Sequence, residues 1–187
     1  IDSSSSNSIV FGYSILMFLI FFLLIMFLNK YRLDIYNDNR KLTFIFFNIL
    51  LMVVLSTMIL EYNPKFIYAA PICITPLVIK VFFDTRLALF IHLIIVLSIG
   101  FIVPNSFEFI FLQMIAGIIA TQSITQFYRR ANIFIAVSQI LLVYFLAYFS
   151  FSVIQEGNFK GLELIVVGLF ILNGLFGSID KYLPNLF

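Results

Sequence analysis

Apolar residues along this chain neither alternate nor form a narrow helical stripe; they fill long blocks parted by short polar breaks. Seven such runs occupy residues 9–28, 42–60, 66–83, 87–103, 107–126, 131–154 and 162–179, denoted A to G. A helix needs about 20 apolar residues to cross the hydrocarbon core of a bilayer. Runs A, B and F meet that length with almost no charge, so length alone predicts spanning helices. Runs C, D and G are 17 or 18 residues, at the short end of the range. Run E is diluted by Gln113, Thr121, Gln122, Ser123, Thr125 and Gln126. The pattern predicts an all-α integral membrane protein, a seven-helix transmembrane bundle filling residues 9–181.

The breaks between runs carry the charge. With the N-terminus outside, the A–B, C–D and E–F loops and the C-terminal tail lie inside and hold Lys30, Arg32, Arg40, Lys41, Lys80, Arg86, Arg129, Arg130 and Lys181, nine of the eleven basic residues. Lys65 and Lys160 remain outside, with Asp2, Glu61, Glu108, Glu156 and Glu163. Cytoplasmic loops collect Lys and Arg, so this asymmetry predicts an odd number of spans, N-terminus outside and C-terminus cytoplasmic. Were run E not a span, F and G would invert and put Arg129 and Arg130 with Lys160. The loops are short, which makes sequential helices antiparallel neighbours. Pro71 and Pro76 fall inside run C, where each should break or bend the helix. The carbonyls they free, near Ile67 and Ile72, must then be met by neighbouring side chains or water, which predicts that helix C sits inside the bundle.

Composition sharpens the class. The 187 residues are 63% hydrophobic and 11% charged, against about 25% charged in ordinary soluble domains. A net charge of +2 is no footprint for nucleic acid. One cysteine, Cys73, excludes an internal disulfide, a Cys-based zinc site or an iron–sulfur cluster. One histidine, His92, excludes the paired-His metalloprotease motif. No paired carboxylates, nucleophile with base or phosphate loop is evident, so this segment is not expected to be an enzyme or to bind a cofactor or metal. The opening residues 1–8, IDSSSSNS, read as a flexible extracytoplasmic linker following something upstream. Residues 182–187 read as the start of a cytoplasmic exit toward a further domain.

Within the spans, His92 is the group whose ordinary pKa lies nearest neutrality. It reads either as a proton sensor or ligand group, or as a neutral buried histidine bonded to a backbone carbonyl. Asn48, Gln113, Gln139 and Asn173 can line a small-molecule pocket or tie helices together at about 0.6 to 2 kcal/mol each. Ala116, Gly117, Ala120 and Thr121 in E, with Gly168, Gly174 and Gly177 in G, allow close helix packing within the chain or between protomers of a homo-oligomer. Arg40, Lys41, Lys80, Asp84, Arg86, Arg129 and Arg130 gather on the expected cytoplasmic side. They can dock a soluble domain, bind anionic headgroups or, for Lys80 and Asp84, form a solvated ion pair.

The order of features resembles the membrane module of the seven-transmembrane receptors with an intracellular HD hydrolase, the PgpH-like proteins. The matching residues are Asn39, Arg40, Lys41 and Leu42 at the start of B, PICITPLVIKVFFDTRLAL at 71–89, and RRANIFIAVSQ at 129–139. The resemblance implies an extracytoplasmic domain before the helices and a metal-dependent HD domain after them that degrades cyclic di-AMP, both partners of the bundle in a bacterial cytoplasmic membrane. Metal ions would belong to that HD domain alone. Two other readings of the residues stay open, a small solute-binding membrane protein such as a transporter's substrate-capture subunit, and a passive membrane anchor.

Topology is directly testable. In a Cys73→Ser background, cysteines at Ser5, Asn63 and Asn158 should react with an impermeant thiol reagent added outside, and those at Asn37 and Thr85 should not. Labelling of Asn37 and Asn158 from the same side would remove the seven-span arrangement.

Overall fold

The computed structural model describes residues 3–123, 130–156, 168, 169 and 171, and all regular structure among them is helical. The chain divides into two units, Ile1–Leu50 and Leu51–Phe187. The division falls inside one long helix.

The first unit contains α1 (Ser3–Tyr31), the single turn α2 (Leu33–Tyr36) and the first half of α3 (Asn39–Tyr62). Ile20, Leu24 and Leu28 recur every four residues along α1 and are buried, as are Ile35 in α2 and Ile45 and Ile49 in α3. That spacing puts each set on one helical face. The rings of Phe21 and Phe46 stack with centroids 6.1 Å apart. Other faces of α1 expose Phe11, Phe18 and Phe22, which suits a helix whose solvent is lipid. Helix α1 starts at Ser3, so residues 3–8 extend the helix where the sequence suggested a flexible linker. Each added residue gains one hydrogen bond once a helix is nucleated, and serine is tolerated in its first turns.

Polar residues fix the α1–α3 connection. Arg32 donates from Nε to Asp34 Oδ1 at 3.1 Å, and this bond holds the Asp34 carboxyl below its usual range. Asp38 Oδ1 accepts the backbone N–H groups of Arg40 and Lys41 at 3.0 and 3.4 Å, satisfying donors that the start of α3 leaves open. The Arg40 N–H is the chief reason the Asp38 carboxyl is also held low.

The second unit contains the rest of α3, a 3-10 turn (Pro64–Ala69), α4 (Ile74–Phe82), α5 (Thr85–Gly100), α6 (Ser106–Ser123) and α7 (Arg130–Glu156). Helices α4, α5 and α6 pack on one another, and α7 packs on α6. At the centre is α5, where Leu87, Ala88, Ile91, His92, Ile94, Ile95, Val96, Ser98, Ile99 and Gly100 are all buried. Leu89, Phe90, Leu93 and Leu97 form a half-buried stripe on its remaining face. Asp84 begins it in extended conformation, its side chain accepting from Leu87 N at 2.8 Å. A Cβ on Gly100, at its other end, would come within 2.6 Å of the Ile110 side chain. Four described segments are long and apolar enough to cross a membrane: Asn7–Tyr31, Asn39–Tyr62, Pro64–Phe82 and Ser138–Gln155. Thr85–Gly100 and Ser106–Gln122 are apolar but shorter. Run G, apart from residues 168, 169 and 171, lies outside the described residues.

Run C is interrupted. A 3-10 turn precedes residues 70–73, which are not helical, and α4 follows. Pro71 lies in the interruption, whereas Pro76 is the third residue of α4. A backbone N–H there would have no partner within the helix, so Pro76 fits the first turn without breaking it. The carbonyls expected to look to neighbouring helices are met locally: Ile67 O accepts from Ala70 N at 3.1 Å, and Ile72 O from Thr75 N at 3.2 Å. Tightened i→i+3 bonds thus replace the helical ladder. Half of the apolar window across this segment is buried, against 11% for α1, which places run C inside the second unit's packing.

The α5 cap yields a prediction. Asp84→Ala should destabilise the protein by about 1 kcal/mol, lowering its melting temperature by about 2 to 4 °C. Asp84→Asn keeps an accepting oxygen and should melt close to the wild type. Thermal unfolding in lipid nanodiscs checks both.

Candidate functional site

The interruption in run C brings side chains of four elements together. Cys73, immediately before α4, lies 3.1 Å from Tyr144 Oη of α7. Tyr144 donates its single hydroxyl proton to Gln113 Oε1 of α6 at 2.8 Å. With that proton spent, the tyrosine oxygen is the acceptor and the Cys73 thiol the donor. A chain therefore runs from Cys73 through Tyr144 to Gln113, and bonds ordered in one direction polarise each other favourably. Gln113 binds α5 through its backbone as well, its carbonyl oxygen lying 2.9 Å from His92 Nε2. A carbonyl only accepts, so Nε2 carries a hydrogen, and in the neutral ring Nδ1 is then a lone pair. Cys73, His92, Gln113 and Tyr144 are all essentially inaccessible.

His92 is thus a fully buried ring bonded through Nε2 to a backbone carbonyl. The ring fits because position 117 is glycine. A Cβ there would overlap His92 Nε2 and Cδ2. Ala116, Ala120 and Thr121 are buried on the same helix, so this small-residue face of α6 is a packing face against α5.

A second polar group lies five residues back along α6, about 7.5 Å at 1.5 Å per residue. Glu108, only 6% exposed, accepts from Tyr68 Oη at 3.1 Å and from Gln155 Nε2 at 3.2 Å, one bond to each carboxylate oxygen. It therefore joins the 3-10 turn and α7 to the first turn of α6, where the positive end of the helix dipole favours an anion.

Other residues singled out from the sequence do not join these groups. Asn48 is half-buried on α3 with Oδ1 unpaired. Gln139 is exposed and, with Ile119, Gln122, Leu142 and Val143, lines a groove of about 480 Å³ between α6 and α7. Asn173 and Arg129 lie outside the described residues, and of Arg130 only the backbone at the start of α7 is described. Arg40 and Arg86 are exposed, and Lys41 sits 3.6 Å from Asp38. Lys80 donates from Nζ to the Thr121 carbonyl, joining the last turn of α4 to the C-terminal part of α6, where a cation is favoured. Among the described residues, no three His, Cys, Asp or Glu side chains gather as a metal site.

Sequence reasoning missed Cys73, Tyr144, Tyr68, Glu108 and Gln155 as members of polar clusters. Glu108 offered a signal: a lone carboxylate opening an apolar run must find donors inside the protein. Tyr144 offered none, being one of nine tyrosines in a chain rich in aromatic residues.

The comparisons with known proteins give one result. A family model described as "7TM receptor with intracellular HD hydrolase" matches residues 8–179. No curated protein and no solved structure matches the chain.

The close seat of His92 on α6 is testable. Gly117→Ala should overpack the α5–α6 contact and cost about 1 to 3 kcal/mol. Combined with His92→Ala, which removes the ring, the same substitution should cost less than it does alone. Thermal unfolding of the two single variants and the double variant reads this coupling, and additive losses would refute the contact.

Proposed function

The chain belongs to the family of 7TM receptors with an intracellular HD hydrolase, and on that footing we propose that it is the membrane module of a bacterial cyclic di-AMP phosphodiesterase. It anchors the enzyme in the cytoplasmic membrane and couples an extracytoplasmic domain to the cytoplasmic HD hydrolase. The hydrolase and its metal ions lie in the parent protein outside this segment. The bundle has seven spans with its N-terminus outside, an orientation supported by the nine basic residues assigned to the cytoplasmic side.

Coupling requires an element with two arrangements that events on one side of the membrane bias. The observation that carries the reading is the interrupted segment Pro64–Phe82, joined to α6 and α7 through Cys73, Tyr144 and Gln113 and through Tyr68, Glu108 and Gln155. An uninterrupted helix has its backbone bonds locked along its length. An interrupted one has a joint, and side-chain bonds worth about 0.6 to 2 kcal/mol each in a membrane hold that joint in place. The two halves can therefore shift at modest cost. At the cytoplasmic end the moving half finishes beside Lys80, Asp84 and Arg86, where exposed Arg86 is positioned to meet a docked domain.

The test compares cyclic di-AMP hydrolysis by the intact parent, its Arg86→Glu and Arg129→Glu variants, and the detached soluble hydrolase under matched metal and salt. A transducing module predicts that the reversed charges change the rate severalfold while membrane insertion is unaltered. Truncating a desolvated interface charge is costly, whereas a solvated loop charge contributes little. Equal rates in all preparations would leave a passive anchor.

A further inference from the structure

Residues 32–38 are all that separates α1 from α3, and both of those helices are long and apolar enough to cross a membrane. One helical turn, α2, takes up four of these residues, about 6 Å at 1.5 Å per residue. A connection that short cannot leave the membrane surface. Ile35 on it is buried, yet Tyr31, Leu33 and Tyr36 beside it are 64%, 54% and 39% exposed. At this depth they face the headgroup and upper acyl region, a layer that suits tyrosine because one end of its ring is apolar and the other polar. The charges are arranged to match. Lys30, Arg32, Arg40 and Lys41 stand against Asp34 and Asp38, a net +2. Both carboxylates are engaged within the connection: Asp34 with Arg32 at 3.1 Å, and Asp38 with the N–H groups of Arg40 and Lys41 and, at 3.6 Å, with Lys41 Nζ. Lys30 and Arg40 are exposed and form no ion pair among the described residues. Lys30 Nζ lies 5.6 Å from the centroid of the Tyr31 ring, so cation and aromatic ring share one surface.

We propose that the α1–α3 connection is a binding surface for anionic phospholipid, with Lys30 and Arg40 at the phosphates and Tyr31, Leu33 and Tyr36 among the glycerol backbones and upper acyl chains. A lipid of this kind meets both features at once. Its headgroup carries the complementary charge at the depth of the two cations, and its chains cover the apolar side chains next to them. A zwitterionic headgroup offers the same phosphate but cancels its charge, so the surface selects lipids with a net negative charge. The inference rests on α1 and α3 being spans, and it is independent of the hydrolase and of the Arg86 docking face.

Spin-labelled phosphatidylglycerol and phosphatidylcholine, each added to the full-length parent in vesicles, report how strongly the protein prefers the anionic lipid. The wild type should prefer phosphatidylglycerol severalfold at low salt, since each basic residue near the surface favours an anionic headgroup by about fivefold, and salt should weaken the preference. Lys30→Gln and Arg40→Gln should each lower it. Lys65→Gln removes the same charge from another exposed position and should leave it unchanged. Depth is read separately with a nitroxide on Leu33→Cys, all other cysteines replaced. The label should collide more often with oxygen, which concentrates in lipid, than with a water-soluble nickel chelate. A preference that survives both substitutions, an equal loss from Lys65→Gln, or a label more accessible to the chelate overturns the inference. Shielding of the label from both reagents marks a docked soluble domain in place of lipid and overturns it as well.

Discussion

In hydrocarbon, a backbone N–H or C=O without a partner has no water to fall back on. That constraint dictates why the described structure is helical, and it decides what happens where the helix fails. Proline at position 71 removes a donor in the middle of an apolar run. The segment answers by tightening on both sides of the interruption, so that Ala70 and Thr75 deliver their N–H groups one residue early to Ile67 and Ile72. The backbone accounts for itself locally, and polar side chains of the neighbouring helices are left to bond one another. Cys73, Tyr144 and Gln113 occupy the space beside the interruption because its backbone does not need them.

Helix α5 is the counterpart of that interruption. Its 16 residues give about 24 Å of rise, less than the roughly 30 Å hydrocarbon core. A helix facing lipid at that length would leave polar ends in the wrong medium. Packed between α4 and α6, α5 meets protein over most of its surface, and Asp84 supplies the bond that its first turn lacks. Its central position also explains why the chain's one histidine is found there. A polar ring is tolerable deep in a membrane protein when a neighbouring backbone carbonyl takes its hydrogen, as Gln113 does for His92.

The apolar runs made most helices legible, since length and hydropathy act through the same solvent that selects the fold. Run C was legible as a defect, because proline's missing donor is a property of the residue itself. What Pro76 would do was not: its effect depends on where the helix restarts, and that is set by the tight turns around residues 70–73. The Ser-rich opening is helical from Ser3, composition being a poor guide to a stretch that a long helix extends through. The polar clusters were only half legible. His92 and Gln113 stand out among apolar neighbours, but their partners Gly117 and Tyr144 do not, and nothing local ties Cys73 to a tyrosine 71 positions away. Spacing along one helix assigns faces; it does not say which faces meet.

The seat of His92 against Gly117 also orders the history open to this chain. A larger residue at position 117 has no room while the imidazole is present, whereas a smaller residue at position 92 meets no such obstacle. A lineage that fills the glycine while the ring remains bears the overpacking cost, about 1 to 3 kcal/mol, and so does one that restores the ring to a filled space. The cheaper order is for the histidine to change first.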